Sequence, residues 1–363
     1  MNFENLGSLV SEVNKLNPSS SPDSIFTYVD LGSVDSKVKA ITSPSQVNGL
    51  DAPSRARQIL QTGDVLVSTV RPNLNSVALV PEQLDGSIAS TGFTVLRPKK
   101  KLDSGYLFHW VRSPRFIREM VRRATGASYP AISDAIVKSS DIFVPPIDAQ
   151  KEISERLDFL DSLLDDLNVA NSKIEELALS LYESAFSRDV WPIKRLGEIT
   201  DCLDSKRKPV TASDRRFGSI PYFGANGQQG WIDAPLFDEP LVLVAEDGGH
   251  FENPARGVAY KIDGPSWVNN HAHVLRAGAG LHIEYLYRTL RHFNFVPFIS
   301  GSTRAKLNQA QLNRVEIPVP PYELQLEFAQ QMKEIDLQSE YLRRMRDEAL
   351  QLSSQQVQML FGN

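Results

Sequence analysis

The chain has 363 residues, 41% of them hydrophobic and 23% charged, with a formal net charge of −5. That balance excludes a disordered chain and gives enough length for two cores of about 130 to 145 residues. A single cysteine, Cys202, excludes an internal disulfide framework and a cysteine-based metal cluster, as expected of a reducing compartment.

No apolar run approaches the roughly 18 residues of a membrane span. Met1-Asn2-Phe3-Glu4 has neither the basic flank nor the apolar stretch of a secretory signal, so a cytoplasmic location without membrane contact is expected. The negative total hides an uneven distribution. Counting Lys and Arg against Asp and Glu, residues 1–145 hold 16 against 13, 146–187 hold 3 against 10, 188–321 hold 16 against 14, and 322–363 hold 4 against 7. A polyanion bound by the two basic parts is therefore compatible with the net charge, because binding depends on local patches.

In chain order, residues 6–16 read as a capped helical start and 17–24 as a Pro/Ser loop. Short strands follow around 26–31, 65–70, 77–80 and 92–96. A helix is expected over 105–123, with Tyr106, Trp110, Phe116, Met120 and Val121 on a core face. It also carries Arg112, Arg115, Arg118, Arg122 and Arg123, which suit either a solvated face or a polyanion contact. Gly126-Ala127-Ser128-Tyr129-Pro130 closes this part. Glycine with small hydroxyl residues suits a loop that approaches a phosphate backbone closely, although a plain turn uses similar residues.

After Pro145-Pro146 comes a heptad seam: Ile153, Leu157, Leu160, Leu164, Leu167, Asn171, Ile174, Ala178, Leu181 and Ala185 alternate spacings of four and three. Prolines at its start are placed where a helix tolerates them, and a lone seam asparagine usually fixes register or partner. The second globular part, from about Trp191, echoes the first: Leu196-Gly197 resembles Leu6-Gly7, and His273-Val274-Leu275-Arg276 resembles Thr94-Val95-Leu96-Arg97. Its loops differ, which points to two ligands read by one scaffold. Gly301-Ser302-Thr303-Arg304-Ala305 closes it, and Val319-Pro320-Pro321 leads into a second helix. There Phe328, Met332, Ile335, Leu342, Ala349 and Leu360 hold the seam, while Ser339, Arg346, Ser353 and Gln356 depart from it.

One offset of 175 residues superimposes Gly126 on Gly301, Pro145-Pro146 on Pro320-Pro321, Gln150 on Gln325 and Phe186 on Phe361, without a gap over some sixty positions. Two tandem half-proteins follow, each a globular part and a long helix. The expected class is α+β (mixed α/β), divided into 1–145, 146–188, 189–320 and 321–363. The helices are expected to pair as an antiparallel coiled coil with pseudo-twofold symmetry.

Catalytic constellations are weak. Val319-Pro320-Pro321-Tyr322 is similar to the Asn/Asp-Pro-Pro-Tyr motif of amino-methyltransferases, but valine stands where an amide or carboxylate is needed. Asp23, Asp35 and Lys37 match a loose nuclease pattern that arises often by chance. His271 and His273 alternate as on a strand face, where pairing or packing is the plainer reading than metal binding. Neither a phosphate-binding Gly-x-x-x-x-Gly-Lys-Ser/Thr loop nor a strand-to-helix setting for Gly278-Ala279-Gly280 occurs.

The duplicated order resembles the specificity subunit of type I restriction-modification enzymes. It is carried by Val144-Pro145-Pro146-Ile147-Asp148-Ala149-Gln150-Lys151-Glu152-Ile153, by Val319-Pro320-Pro321-Tyr322-Glu323-Leu324-Gln325-Leu326-Glu327-Phe328, and by Gly63-Asp64-Val65-Leu66-Val67. The resemblance implies two target-recognition domains, each reading half of a split site in double-stranded DNA, with the helices fixing the gap. It implies docking of two methyltransferase (modification) subunits, which bring S-adenosylmethionine, and a separate translocating nuclease subunit for restriction. No cofactor is expected on this chain and no catalysis by it. The rival readings are a stand-alone DNA methyltransferase or nuclease and a protein-only coiled-coil scaffold.

Base reading needs hydrogen-bonding side chains on loops held by rigid domains, with basic residues to grip phosphates. Arg71, Asn73, Asn75, Ser128 and Tyr129 fit in the first domain, and Lys206, Arg207, Asn226, Asp247, His250, Arg304 and Lys306 in the second. Each also has a plain structural reading. Helix pairing and partner docking are assigned to Pro145, Pro146, Gln150, Ile153, Leu157, Leu160, Leu164, Leu167 and Asn171, and to Pro320, Pro321, Gln325, Phe328, Met332, Ile335 and Leu342.

Overall fold

A computed structural model describes residues 3–126, 128–186, 191–251, 257–301 and 305–362. It divides into two compact units, Met1–Asn168 with Arg344–Asn363, and Val169–Arg343. Each unit therefore contains one globular domain and a stretch of both long helices, Ile147–Phe186 and Tyr322–Phe361. No described helix is long and apolar enough to cross a membrane.

In the first unit, two four-stranded sheets carry the domain. One runs Ser45–Asn48, Ile25–Val29, Ile88–Ser90, Ala56–Ile59, and the other Val10–Ser11, Phe93–Pro98, Val65–Ser68, Val77–Leu79. Val65–Ser68 lies between two neighbours and is buried at all four positions, as suits its apolar Val65-Leu66-Val67 run. The second unit repeats this arrangement with Gly227–Ile232, Ile220–Gly224, Pro265–Val268, Phe237–Asp238, and with Thr200–Cys202, Ala272–Ala277, Leu241–Ala245, Ala259–Ile262. In each domain a single described pair is parallel, Ile25–Val29 with Ile88–Ser90 and Ile220–Gly224 with Pro265–Val268.

Two expected elements differ. The helical start is only Leu6–Leu9, because Val10–Ser11 joins the sheet beside Arg97 and Pro98. The helix over 105–123 is two helices, Ser104–Arg112 and Pro114–Arg123. Pro114 cannot donate to the preceding turn and disfavours helical backbone at Ser113, whose hydroxyl instead caps the second helix by accepting from Phe116 N–H at 3.3 Å.

The repeated glutamine explains how each domain is joined to its helix. Gln150 is fully buried; its Oε1 accepts from the Asp103 N–H at 2.9 Å, and its Nε2 donates to the carbonyls of Lys101 at 3.0 Å and Pro145 at 2.8 Å. Gln325, equally buried, accepts from the His282 N–H at 2.8 Å and donates to Gly280 O at 3.1 Å and Pro320 O at 2.7 Å. Both amides are thus saturated inside their own domain. Gly105 belongs to the same junction: a Cβ there would stand 2.0 Å from Ser154 Oγ and 3.2 Å from Ser154 Cβ, so glycine lets the short helix lie close to the long one.

The helices pair in opposite directions. In the first unit Leu157 and Leu160, early in one helix, share a core with Val357, Leu360 and Phe361 at the end of the other. In the second unit Ala178 and Phe186, late in the first helix, share a core with Phe328 and Met332, early in the second. Ser339 does not leave the seam. It is buried, and its hydroxyl donates to Asn171 Oδ1 at 3.2 Å, so the lone asparagine has a partner on the facing helix.

Candidate DNA interface

Both closing loops are built alike. Thr125 and Ala131 exchange backbone hydrogen bonds of 3.0 and 2.8 Å, and the Ile132 N–H donates to Thr69 O at 2.8 Å, just past strand Val65–Ser68. Ser300 and Lys306 exchange bonds of 2.8 and 2.9 Å, and the Leu307 N–H donates to Glu246 O at 2.8 Å, just past strand Leu241–Ala245. Gly126 and Gly301 open the two loops at φ of 99° and 94°, backbone that glycine alone adopts readily. Ala127, Ser302, Thr303 and the candidate Arg304 lie outside the described residues.

Beside the first loop, the Arg71 N–H donates to Pro130 O at 2.7 Å and its guanidinium lies 4.6 Å over the Tyr129 ring. Arg71 holds φ of 49°, a strained conformation for a non-glycine residue that tends to cluster at functional sites. Asn73, Ser128 and Tyr129 are exposed with it. Asn75 is not. It is buried, its Nδ2 donates to Val111 O at 2.9 Å and its carbonyl accepts from Lys39 Nζ at 2.6 Å, so its amide anchors the turn to helix Ser104–Arg112. Of the five helix arginines, Arg112 pairs with Asp161 at 2.5 Å, Arg115 lies 4.5 Å over Phe3 and Arg123 pairs with Glu119 at 3.0 Å. Arg118 and Arg122 are exposed.

In the second domain Lys206, Asn226 and His250 are exposed, and Asn226 Nδ2 donates to Gly248 O at 2.9 Å. Asp247 stands 2.7 Å from His271 Nδ1. Arg207, which reads in sequence as a phosphate grip, turns inward: it donates to Glu246 Oε2 at 2.7 Å and Ala272 O at 2.8 Å, and sits 3.1 Å from Asp204 Oδ2. Around it closes a charged ring. His273, wholly buried, has Nδ1 at 2.5 Å from Asp204 Oδ2 and Nε2 at 2.7 Å from Leu307 O, while Lys306 Nζ reaches Glu246 Oε1 at 3.1 Å. The base of the second loop is thereby tied to the sheet by side chains.

Cys202 also approaches this ring, its ligand atom within 4.8 Å of those of Asp204 and His273. Burial and the neighbouring Asp204 charge push its thiol up to about 11, and both His273 nitrogens already face oxygen, so the group suits hydrogen bonding better than metal ligation.

Burial alone would raise the carboxyls of Asp204 and Glu246. For Asp204 the His273 hydrogen bond and charge, the Val274 N–H and Arg207 outweigh it, and for Glu246 the Arg207 and Lys306 bonds do, so both sit below their ordinary values. Groups lowered in the fold stabilise it above their unfolded values, about 3.9 for Asp and 4.3 for Glu, and lose that contribution as pH falls through the folded values. Amide hydrogen exchange at the base of the second loop should therefore quicken relative to intrinsic rates below about pH 4. Protection unchanged at pH 3 would contradict the ring's role.

A family model described as type I restriction modification DNA specificity domain matches residues 34–177 and 189–351. The chain belongs to that family. A putative type I restriction enzyme specificity subunit of Haemophilus influenzae is 40% identical over 139 residues, 37% of this chain and 34% of the relative. This chain's alignments thus cover only 34% and 39% of the first two curated specificity subunits it matches. A solved chain from work on complex assembly and conformational transition of the type I R-M system is 25% identical, with a TM-score of 0.60 over 99% of this chain and 97% of that one. The S subunit from M. genitalium, 15% identical with a TM-score of 0.67 over 99% and 96%, shows the same fold. The type I specificity family is the one that the duplicated Pro-Pro-x-x-x-Gln segment led us to expect.

Sequence reasoning passed over one feature of this specificity chain. The outer strand Gly227–Ile232 exposes Gln228, Gln229 and Trp231, and Phe217 beside it is wholly exposed. No strand was expected there, because glycines at 227 and 230 weaken a strand signal, and Trp231-Ile232 was the short β-favouring cue.

Proposed function

We propose that this chain is the sequence-specific DNA-recognition subunit of a type I restriction-modification complex. Each globular domain reads one half of a bipartite site in double-stranded DNA, and the helices set the gap between halves. The chain itself catalyses nothing. Two modification subunits dock on it and hold S-adenosylmethionine, and a translocating nuclease subunit joins for restriction.

The observation that carries this reading is the pair of closing loops, clamped by the same backbone bonds at the same strand end but furnished differently: a Tyr129–Arg71 stack in one, the Lys306–Glu246 pair in the other. Matching loop bases with different side chains are what two readers of different sequences need. In this reading Arg71 is the guanine-seeking group of the first half-site, held in place by Tyr129.

Domain exchange tests it. With residues 1–145 replaced by the corresponding domain of another family member, the complex assembled with its modification subunits should methylate a sequence changed in one half only. Sequencing of methylated DNA reads the result directly. A change in both halves, or in neither, would sink the two-reader model.

A further inference from the structure

We infer that the outer strand of the second domain and the loop packed beside it form a second DNA-contact surface, in which Phe217 and Trp231 press against the bases and Arg216 and Gln228 make the polar contacts. This rests on the DNA-recognition reading above and extends it to residues away from the closing loop.

Gly227–Ile232 is the outermost strand of its sheet. Such an edge carries backbone donors and acceptors without a strand neighbour, and here its side chains are amides and an aromatic ring rather than the charges or prolines that usually blunt an edge. Trp231 is 56% exposed and Phe217 101%. A loop that held Phe217 loosely would fold it inward, since burial of a phenylalanine is favourable. This loop is held. Tyr222 Oη accepts from the Val210 N–H at 3.0 Å and donates to Val210 O at 3.1 Å. Arg215 lies 3.8 Å over the Tyr222 ring and donates to Val210 O and Gln229 O, each at 3.3 Å. Gly218 is pressed so closely on the strand that a Cβ would stand 2.2 Å from Ile232 O. Phe217 is thus fixed at the strand end that bears Trp231, with its ring in solvent.

Charge selects the occupant. Residues 206–217 hold five basic side chains and one acidic, and Lys206, Lys208 and Arg216 are exposed. The stretch between the equivalent strands of the first domain, 12–24, holds one basic residue and two acidic. An aromatic tip among cations matches a phosphate backbone with accessible bases, which aromatic side chains contact by stacking or by wedging between steps. The geometry suits a short site. From the Gly224–Gly227 turn to the Ile220–Ile232 pair the hairpin spans four residues, about 13 Å. Roughly four base pairs of DNA rise the same distance.

The test uses the full complex with its modification subunits and two duplexes, one bearing the methylated sequence found by sequencing and one of equal length without it. Phe217→Ala/Trp231→Ala should bind the cognate duplex roughly tenfold to a hundredfold more weakly, with an unchanged salt slope, because aromatic contacts release no counterions. Arg216→Gln should lower the salt slope by about one. Both side chains of the double variant are on the surface, so its melting temperature should match the wild type, and a matched melt is required before affinities are compared. Wild-type affinity in the double variant overturns the inference, as does loss of a modification subunit from that variant in native mass spectrometry, which would make the surface a protein dock. A wild-type complex that binds neither duplex would overturn the DNA-recognition reading itself.

Discussion

Replacing Phe361 by alanine should destabilise the first unit by about 3–5 kcal/mol, as for other buried Phe-to-Ala changes, and leave the second nearly untouched. Phe361 is the last residue of the second long helix, yet it is 2% exposed and its ring meets Tyr106 and Trp110 edge-on, each at 5.5 Å. It completes a core built from residues more than 200 positions earlier in the chain. Phe186, its equivalent under the 175-residue offset, completes the other core, 4.8 Å from Tyr285 and 5.0 Å from Phe328. Phe186→Ala should therefore give the mirror result. Hydrogen exchange resolved by peptide would report each unit separately; equal losses in both units, or a loss under about 1 kcal/mol, would show that these rings do not close the cores.

His273→Ala should cost the second unit less, about 1–3 kcal/mol, by a different route: it takes one hydrogen-bond partner from buried groups, although Arg207 and the Val274 N–H still hold Asp204. Asp204 loses its bond to the ring, and the Leu307 carbonyl loses its donor at the base of the closing loop. The strand residue in the equivalent place of the first domain is Thr94, fully buried, and that domain has no such ring among its described residues. The first closing loop should accordingly keep its protection while the second loses it around Ser300 and Lys306. If thermal unfolding of the second unit moved by less than a few degrees, the ring would be ornament rather than support.

The large organisation was legible because a repeat writes itself twice. Gly126 and Gly301, Pro145 and Pro320, Gln150 and Gln325 keep register, and the structure gives the glycines matching positive φ and each glutamine the same bond to its proline carbonyl. The heptad seam was legible too, but one polar member, Ser339, was misjudged. Ser339 reads as a departure in isolation and becomes a seam residue only opposite Asn171, 168 positions away. Distance along the chain also hid the fate of Asn75 and Arg207. A polar residue after a strand and a cation in a basic run suggest contact with DNA, but Val111, Glu246 and Ala272 claim them from 36, 39 and 65 residues away. Composition cannot show a partner that only folding brings near. Phe217 and Trp231 were missed for the opposite reason, since aromatics are assumed to be interior until their exposure is seen.

The clamps at Gln150 and Gln325 grip nothing but main-chain atoms: Lys101 O, Asp103 N and Pro145 O in one case, Gly280 O, His282 N and Pro320 O in the other. A coupling of that kind is blind to the side chains on either side of it. Any domain that brings the same backbone path to the socket, and keeps the close Gly105–Ser154 approach and the aromatic bed for Phe361, can be seated on the same shaft.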